Sequence, residues 1–311
     1  MLSSLSQIDQ ANAQELESLT TPLTASGAVL GIDQQHRLQA VQGRPWAVDV
    51  SVSVSTSARE VLRLHRFEIE LPSGRRLEAR TRGVTSHADG SISWTGTIDG
   101  SESLTSIVAD EAGLVGSIRD GDRTFVFEAL GDDATAIYRL RYDQLPKDHP
   151  STEAAPATAA APVMEKSTST SSGGSVVDAL VVYTPAASSG MGSLVAVAEA
   201  DLNDIHSNSS AASTGDVVHH EVISYSESGL LATDLARLMG TSDGYLDSVH
   251  SLRDNVGADV VVLVVDTGDG CGLAGSIGAT ASNAFAVVKK SCNRVKVLGC
   301  PRVGSPCRCA T

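Results

Sequence analysis

Hydrophobic and polar residues alternate over short stretches in the first half of the chain. Val48, Val50, Val52 and Val54 interleave with Asp49, Ser51 and Ser53, the period-two pattern of a half-buried strand. Residues 64–71 (LHRFEIEL) alternate in the same way and run into Pro72-Ser73-Gly74, a turn signal, after which RRLEARTRGV resumes. Short runs at 91–98, 103–110, 114–120, 124–130 and 136–142 follow, with Asp-Gly pairs at 89–90, 99–100 and 120–121 between them. Short strands at regular spacing, joined by Asp-Gly turns, predict antiparallel sheets over residues 26–146.

The pattern changes at Val176. VVDALVVYT (176–184) is a buried strand, and residues 192–207 carry Leu194, Val197, Leu202 and Ile205 at helical spacing. VVHHEVISYSES (217–228) reads as a strand and 231–239 as a short helix stopped by Gly240. Ser242 or Asp243 is placed to cap a helix over 244–255 with Leu246, Val249 and Leu252 inward and Gly257 ending it. ADVVVLVVD (258–266) is another buried strand. Strands alternating with helices predict a layered α/β unit over 176–292. The fold class is therefore α+β or mixed, a β-rich domain followed by an α/β domain. Residues 1–25 are polar and aperiodic and read as a flexible end. Residues 147–175 are rich in Ala, Pro, Ser and Thr and read as a disordered linker, the easiest place for a protease to cut. Residues 293–311 show neither period and read as irregular.

Composition narrows the function. Acidic residues outnumber basic ones 37 to 23, a net charge of −14, so the mean field repels phosphate and no nucleic-acid partner is expected. No run approaches the roughly 20 apolar residues of a membrane-spanning helix. The start, MLSSLSQIDQ, lacks the basic and apolar regions of a secretory signal. All five cysteines lie at or beyond Cys271, an odd number that leaves one thiol over if the rest pair.

Few local motifs carry chemistry. GCGLAG (270–275) has the Gly-x-Gly-x-x-Gly form, but no Asp or Glu follows Asp269 to hold a ribose, so it reads as a turn and an edge strand. His219, His220 and Glu221 are adjacent on a strand, where neighbours point to opposite faces and cannot chelate one ion together. His206 and His250 sit beside polar residues on predicted helices and read as surface residues.

Longer phrases are more specific. VVDALVVYTPAA opens the second unit, and YSESGLLATDLARLMGTSDGYLDSVHSLRDNVGADVVVLVVD (225–266) follows. CGLAGS (271–276) and NAFAVVKKSC (283–292) close it. In this order they resemble secreted, reprolysin-like zinc metallopeptidases of the metzincin clan. The resemblance makes the β-rich segment a propeptide-like domain and the second unit an incomplete catalytic domain with a twisted mixed sheet. It implies an extracellular location for the protein, although no signal peptide is present in this sequence, and peptide or protein substrates. It also implies a substrate-binding edge strand at Leu273 and Ala274, and disulfide partnership of Cys271 with Cys292. The family's zinc is held by a helix reading His-Glu-x-x-His-x-x-Gly-x-x-His, whose Glu takes a proton from zinc-bound water. This sequence has no such helix. Neither a metal ligand nor a catalytic residue can be assigned, and the chain is expected to bind no catalytic zinc and to be inactive. The loss is also expected to leave Val260–Val265 and Phe285–Val288 without a packing partner.

The tail suggests why. Residues 289–311 hold six basic and no acidic residues and four of the five cysteines. The codons of Pro301–Thr311 can be written so that, one nucleotide later, they read His-Glu-Leu-Gly-His-Leu-Ala-Gly-Ala-Arg-His, with a stop after Thr311 in the present frame. A frameshift close to Cys292 is the reading this favours; a divergent, Cys-stapled C-terminus is the alternative. For function, the alternative is a protease-binding or inhibitory module built on the propeptide-like domain.

Overall fold

The computed structural model describes residues 16–87, 89–99, 105–145, 175–208, 213–276, 279–280 and 282–292. Most of the expected linker and the whole of the tail from Asn293 lie outside these residues. The first unit comprises β1 (Thr21–Pro22), α1 (Leu23–Ser26), α2 (Ile32–Gln42), β2 (Ala47–Val54), α3 (Ala58–Val61) and β3 (Arg66–Glu70). It continues through β4 (Arg76–Ser86), β5 (Ile92–Ile98), β6 (Thr105–Asp110), β7 (Gly113–Asp120), β8 (Arg123–Gly131) and β9 (Ala134–Leu140). The strands form one nine-stranded sheet in the order β1-β2-β9-β8-β7-β6-β5-β4-β3, antiparallel throughout. Neighbours in sequence are neighbours in space from β3 to β9, which short turns make possible. Between β8 and β9, Asp132 and Asp133 both take positive φ (48° and 59°), the conformation a two-residue hairpin turn requires and Asp tolerates.

The two faces of this sheet are buried differently. On one, Phe67, Ile69, Leu77, Trp94, Ile107, Leu114, Ile118, Phe127 and Ile137 form a single core with α3 residues Ala58 and Val61. Trp94 packs edge-on against Phe67 with ring centroids 5.2 Å apart, and its indole donates to Thr81 Oγ1 at 2.8 Å. A Cβ at Gly96 would lie 2.2 Å from the Trp94 ring, so only glycine lets the indole lie there. On the other face α2 covers Val126, Ala136 and Tyr138 through Val41 and Leu38. Leu19 is buried in the first core and its amide donates to the Glu68 carbonyl at 2.8 Å. The expectation of a flexible end through residue 25 is therefore corrected for residues 17–22, which pair with the sheet through backbone bonds that carry no side-chain signal.

The second unit comprises β10 (Ser175–Tyr183), α4 (Met191–Asn208), β11 (Ser213–Val222), α5 (Leu231–Met239), α6 (Asp247–Val256), β12 (Val260–Val265), β13 (Gly272–Ala274) and β14 (Phe285–Lys289). Its sheet runs β11-β10-β12-β14-β13; the first four strands are parallel and β13 is antiparallel to β14. Parallel neighbours need long crossovers, which α4 supplies between β10 and β11, and α5 with α6 between β11 and β12. The chain is thus a β-rich mixed α/β protein with a large antiparallel sheet and a smaller mixed one.

Strand alternation sends Leu180, Val182, Val261, Leu263, Val265, Phe285 and Val287 to one face, where α5 and α6 bury them with Leu231, Leu235, Leu238, Leu246 and Val249. The expectation that Val260–Val265 and Phe285–Val288 lack a packing partner is overturned on this side. Opposite, Val181 and Val264 are buried by α4, whereas Val262, Ala286 and Val288 are half-buried. Two helix details also differ from expectation. In α4, Leu202 and Ile205 are about two-fifths exposed (42% and 41%) while Met191 and Val195 are buried. Helix α6 begins at Asp247, three residues late, because the Asp247 carboxylate accepts from the Asp243 and Gly244 amides at 3.1 and 3.0 Å and holds that segment in a turn.

Candidate functional site

Strand β13 is the edge of the second sheet. It is held on one side by β14, with the Gly275 amide donating to the Phe285 carbonyl at 2.8 Å and the Lys289 amide to the Cys271 carbonyl at 2.9 Å. Leu273 is half-buried against the α5–α6 core and Ala274 is exposed. A strand paired on one side presents free amides and carbonyls on the other, a ready template for an added extended peptide. The GCGLAG segment is thus a turn followed by an edge strand. Cys271 and Cys292 are joined by a disulfide with Cα atoms 5.4 Å apart, tying the start of β13 to the end of β14.

The turns at the C-terminal ends of the parallel strands converge on Glu227. Its Oε1 accepts from Thr184 Oγ1 at 2.5 Å and the Asp266 amide at 2.7 Å, and its Oε2 from the Thr267 amide and hydroxyl at 2.7 and 2.6 Å. Burial raises the pKa of this carboxyl, but the bonds from Thr184, Thr267 and the two amides outweigh it and hold the pKa below the ordinary range. The clamp fixes the ends of β10 and β12 to the segment after β11. Asp269 acts similarly, accepting from the Leu231 amide at 3.0 Å at the start of α5, where a carboxylate also meets the positive end of the helix dipole.

Behind these turns Asp234 is fully buried. It accepts from Tyr225 Oη at 2.5 Å and the Ser228 amide at 2.9 Å. Burial first, and then the bond to Asp234, push the Tyr225 phenol up to about 12. Arg237 donates to the same phenol at 3.1 Å and lies 3.9 Å over the Tyr245 ring.

The histidines do not converge. His219 pairs with Glu221 at 3.2 Å, and His220 faces the other way, 6.2 Å from the Tyr183 ring. His206 Nδ1 lies 3.0 Å from the Ser213 carbonyl oxygen. His250 Nε2 lies 2.8 Å from the Gly240 carbonyl, and its ring stands 5.2 Å from Phe285. Both are half-buried links between elements, which corrects the surface reading. A cleft of about 610 Å³ between the two units has His87, Asp89, Glu199, Asp216 and His220 among its lining residues. Even so, no three His, Cys, Asp or Glu side chains among the described residues are placed to hold a metal.

A second cavity, of about 190 Å³, lies where the ends of β12 and β14 meet the first unit; Arg44, Glu128, Tyr138, Asp266, Lys290 and Ser291 line it. Arg44 holds Glu128 through both oxygens at 2.6 and 3.0 Å. Lys290 donates to the Ser189 carbonyl, and burial pulls its pKa down against the opposing pull of Glu128 and Asp266.

Similarity identifies the chain type. A peptidyl-Asp metalloendopeptidase of Xanthomonas campestris pv. campestris is 30% identical over 294 residues, covering 88% of this chain and 70% of that protein. The chain belongs to this metalloendopeptidase family. Peptidyl-Asp metalloendopeptidases from two Stenotrophomonas maltophilia strains, K279a and R551-3, are each 33% identical over 278 residues, covering 82% of this chain. The chain spans 65% of the length of these two relatives. No family profile matches it. The solved structure of metalloproteinase-II from Bacteroides fragilis superposes with a TM-score of 0.46 at 10% identity, over 73% of this chain and 75% of that one. The described residues do not fit a metal: no set of ligands is among them. Glu227 and Asp269 carried no signal of their own in the sequence. Glu227's partners lie 39 to 43 residues away, and a lone acid in a polar stretch reads as solvated.

Proposed function

We propose that the chain is the precursor form of a secreted zinc metalloendopeptidase of the metzincin clan, with residues 26–146 as its propeptide-like domain. The substrates of the complete enzyme would be peptides or proteins, with a preference for Asp as the relatives' names suggest. The observation that carries the reading is the open antiparallel edge of a parallel sheet at Leu273 and Ala274, closed behind by the Cys271–Cys292 disulfide. A peptide laid along β13 would pair its backbone with the free edge, which orients a carbonyl without reading its side chains. The Glu227 clamp would keep the neighbouring strand ends rigid while it binds.

A zinc ion, if bound, would polarise the peptide carbonyl and activate a water. No residue described here supplies that chemistry, and in the present reading frame the sequence contains no His-Glu-x-x-His. The proposal places the zinc-binding helix one nucleotide out of frame from Pro301 onward, and holds the 311-residue chain itself to be inactive. Sequencing the gene across the codons of Ala286 to Thr311 and onward tests this. An open shifted frame encoding the motif is expected, and the frame-restored protein should bind one zinc and cleave Asp-containing peptides in a chelator-sensitive way. A shifted frame without the motif, or chelator-sensitive proteolysis by the present chain, would overturn it.

A further inference from the structure

Helix α4 is buried on two sides. Met191, Ser193, Leu194, Val195 and Val197 are all at most 6% exposed. At about 100° per residue these positions cover more than half the circumference of the first two turns. A helix that covers one sheet needs a single apolar stripe, so the residues of α4 specify two neighbours. One neighbour is its own sheet. Leu194 and Val197 share a cluster with Val181 and Val264, Asn203 exchanges two bonds of 2.8 Å with the Gly215 backbone, and Glu199 accepts from the Val217 amide at 3.3 Å.

The other neighbour is the nine-stranded sheet. Val108 and Val115 are 0% and 6% exposed, yet they point away from the first unit's main core, to which Ile107, Ala109 and Leu114 belong. They lie instead in the cluster of α4. Polar groups register the fit: Ser193 donates to Asp110, and Ser106 Oγ lies 3.4 Å from Asp204. Ala196 of α4 packs against the same cluster. Each face would present valines to water if the other left.

We infer that the first unit is a lasting non-covalent partner of the second: once the chain is cut between residues 146 and 174, the two fragments stay together, clasped around α4. The partner that fits this surface is the chain's own β-rich domain as a separate polypeptide. Separation of the units then requires exposing the Val108–Val115–Val195 contact, not cleavage alone. The inference needs no metal and no activity, so its failure leaves the proposed function untouched.

The test places a site for a specific protease within residues 146–174 of the full chain, cuts the folded protein, and applies it to size exclusion. The two fragments are expected to co-elute at the position of the uncut chain, with amides of β6, β7 and α4 as protected from hydrogen exchange after the cut as before. Elution apart, precipitation of one fragment, or loss of that protection would overturn the inference. Val115→Glu, cut in the same way, should weaken association at least tenfold; fragments that still associate as tightly as wild type would also overturn it. If Val115→Glu does not fold, the wild-type elution and exchange decide.

Discussion

Helices α5 and α4 cover opposite faces of the same sheet by different means. In α5, Leu231, Asp234, Leu235 and Leu238 are buried and Ala232 and Ala236 are exposed, a single stripe at spacings of three and four. In α4 the buried positions crowd around the helix and the outer Leu202 and Ile205 reach water. The first helix has one neighbour and its sequence says so. The second is shared between two sheets, so its pattern blurs toward that of a buried helix. The lesson is that a weakly amphipathic helix beside a strongly patterned sheet marks a contact with something else.

The comparison can be broken first on the α5 side. Leu238→Ala removes a fully buried side chain from a closed core and should cost about 2–5 kcal/mol in the urea unfolding of the second unit. A loss below 1 kcal/mol would mean that core is not closed. The edge-strand side comes next. Reducing the Cys271–Cys292 bond, which closes a loop of 21 residues, should remove about 2–4 kcal/mol, seen as a lower melting temperature with reductant than without. The same comparison on Cys271→Ser should show a smaller reductant effect, because this bond is already gone.

The smallest expected effect sharpens the α4 side. Burial raises the pKa of Glu199, with Asp216 adding to it and the Val217 amide and His87 opposing, and burial likewise raises that of Asp204 against its Ser106 contact. A carboxyl with a raised folded-state pKa favours the fold most when protonated. Its penalty is absent below the ordinary carboxylate value and grows as pH rises through the interval up to the raised value. Glu199→Gln and Asp204→Asn should therefore raise the melting temperature by about 1–3 °C at pH 7 and leave it unchanged near pH 3. An equal gain at both pH values would show that ionisation is not the cause.

Much of the architecture was legible. The strands of residues 47–140 follow alternation and Asp-Gly turns, and β10, β12, α5 and the inward residues of α6 follow their periods. Helix α2 was not legible. IDQQHRLQAVQ has little apolar face, and what holds it lies far away: Gln34 and Arg37 donate to the Gly131 and Leu130 carbonyls, and Arg44 just beyond pairs with Glu128. Of the candidate site, Leu273 and Ala274 came from resemblance to a family, not from any period; a three-residue strand is too short to show one.

The sequence by itself determined the period of each strand, the positions of the turns and the absence of a His-Glu-x-x-His motif, because these depend on residues adjacent or a few apart. Tertiary structure alone decided that Glu227 clamps three segments, that His250 bridges a helix to Phe285, and that α4 serves two sheets. Each of those depends on groups tens of residues apart whose desolvation is offset only when the partner arrives, and no local pattern encodes which partner that is.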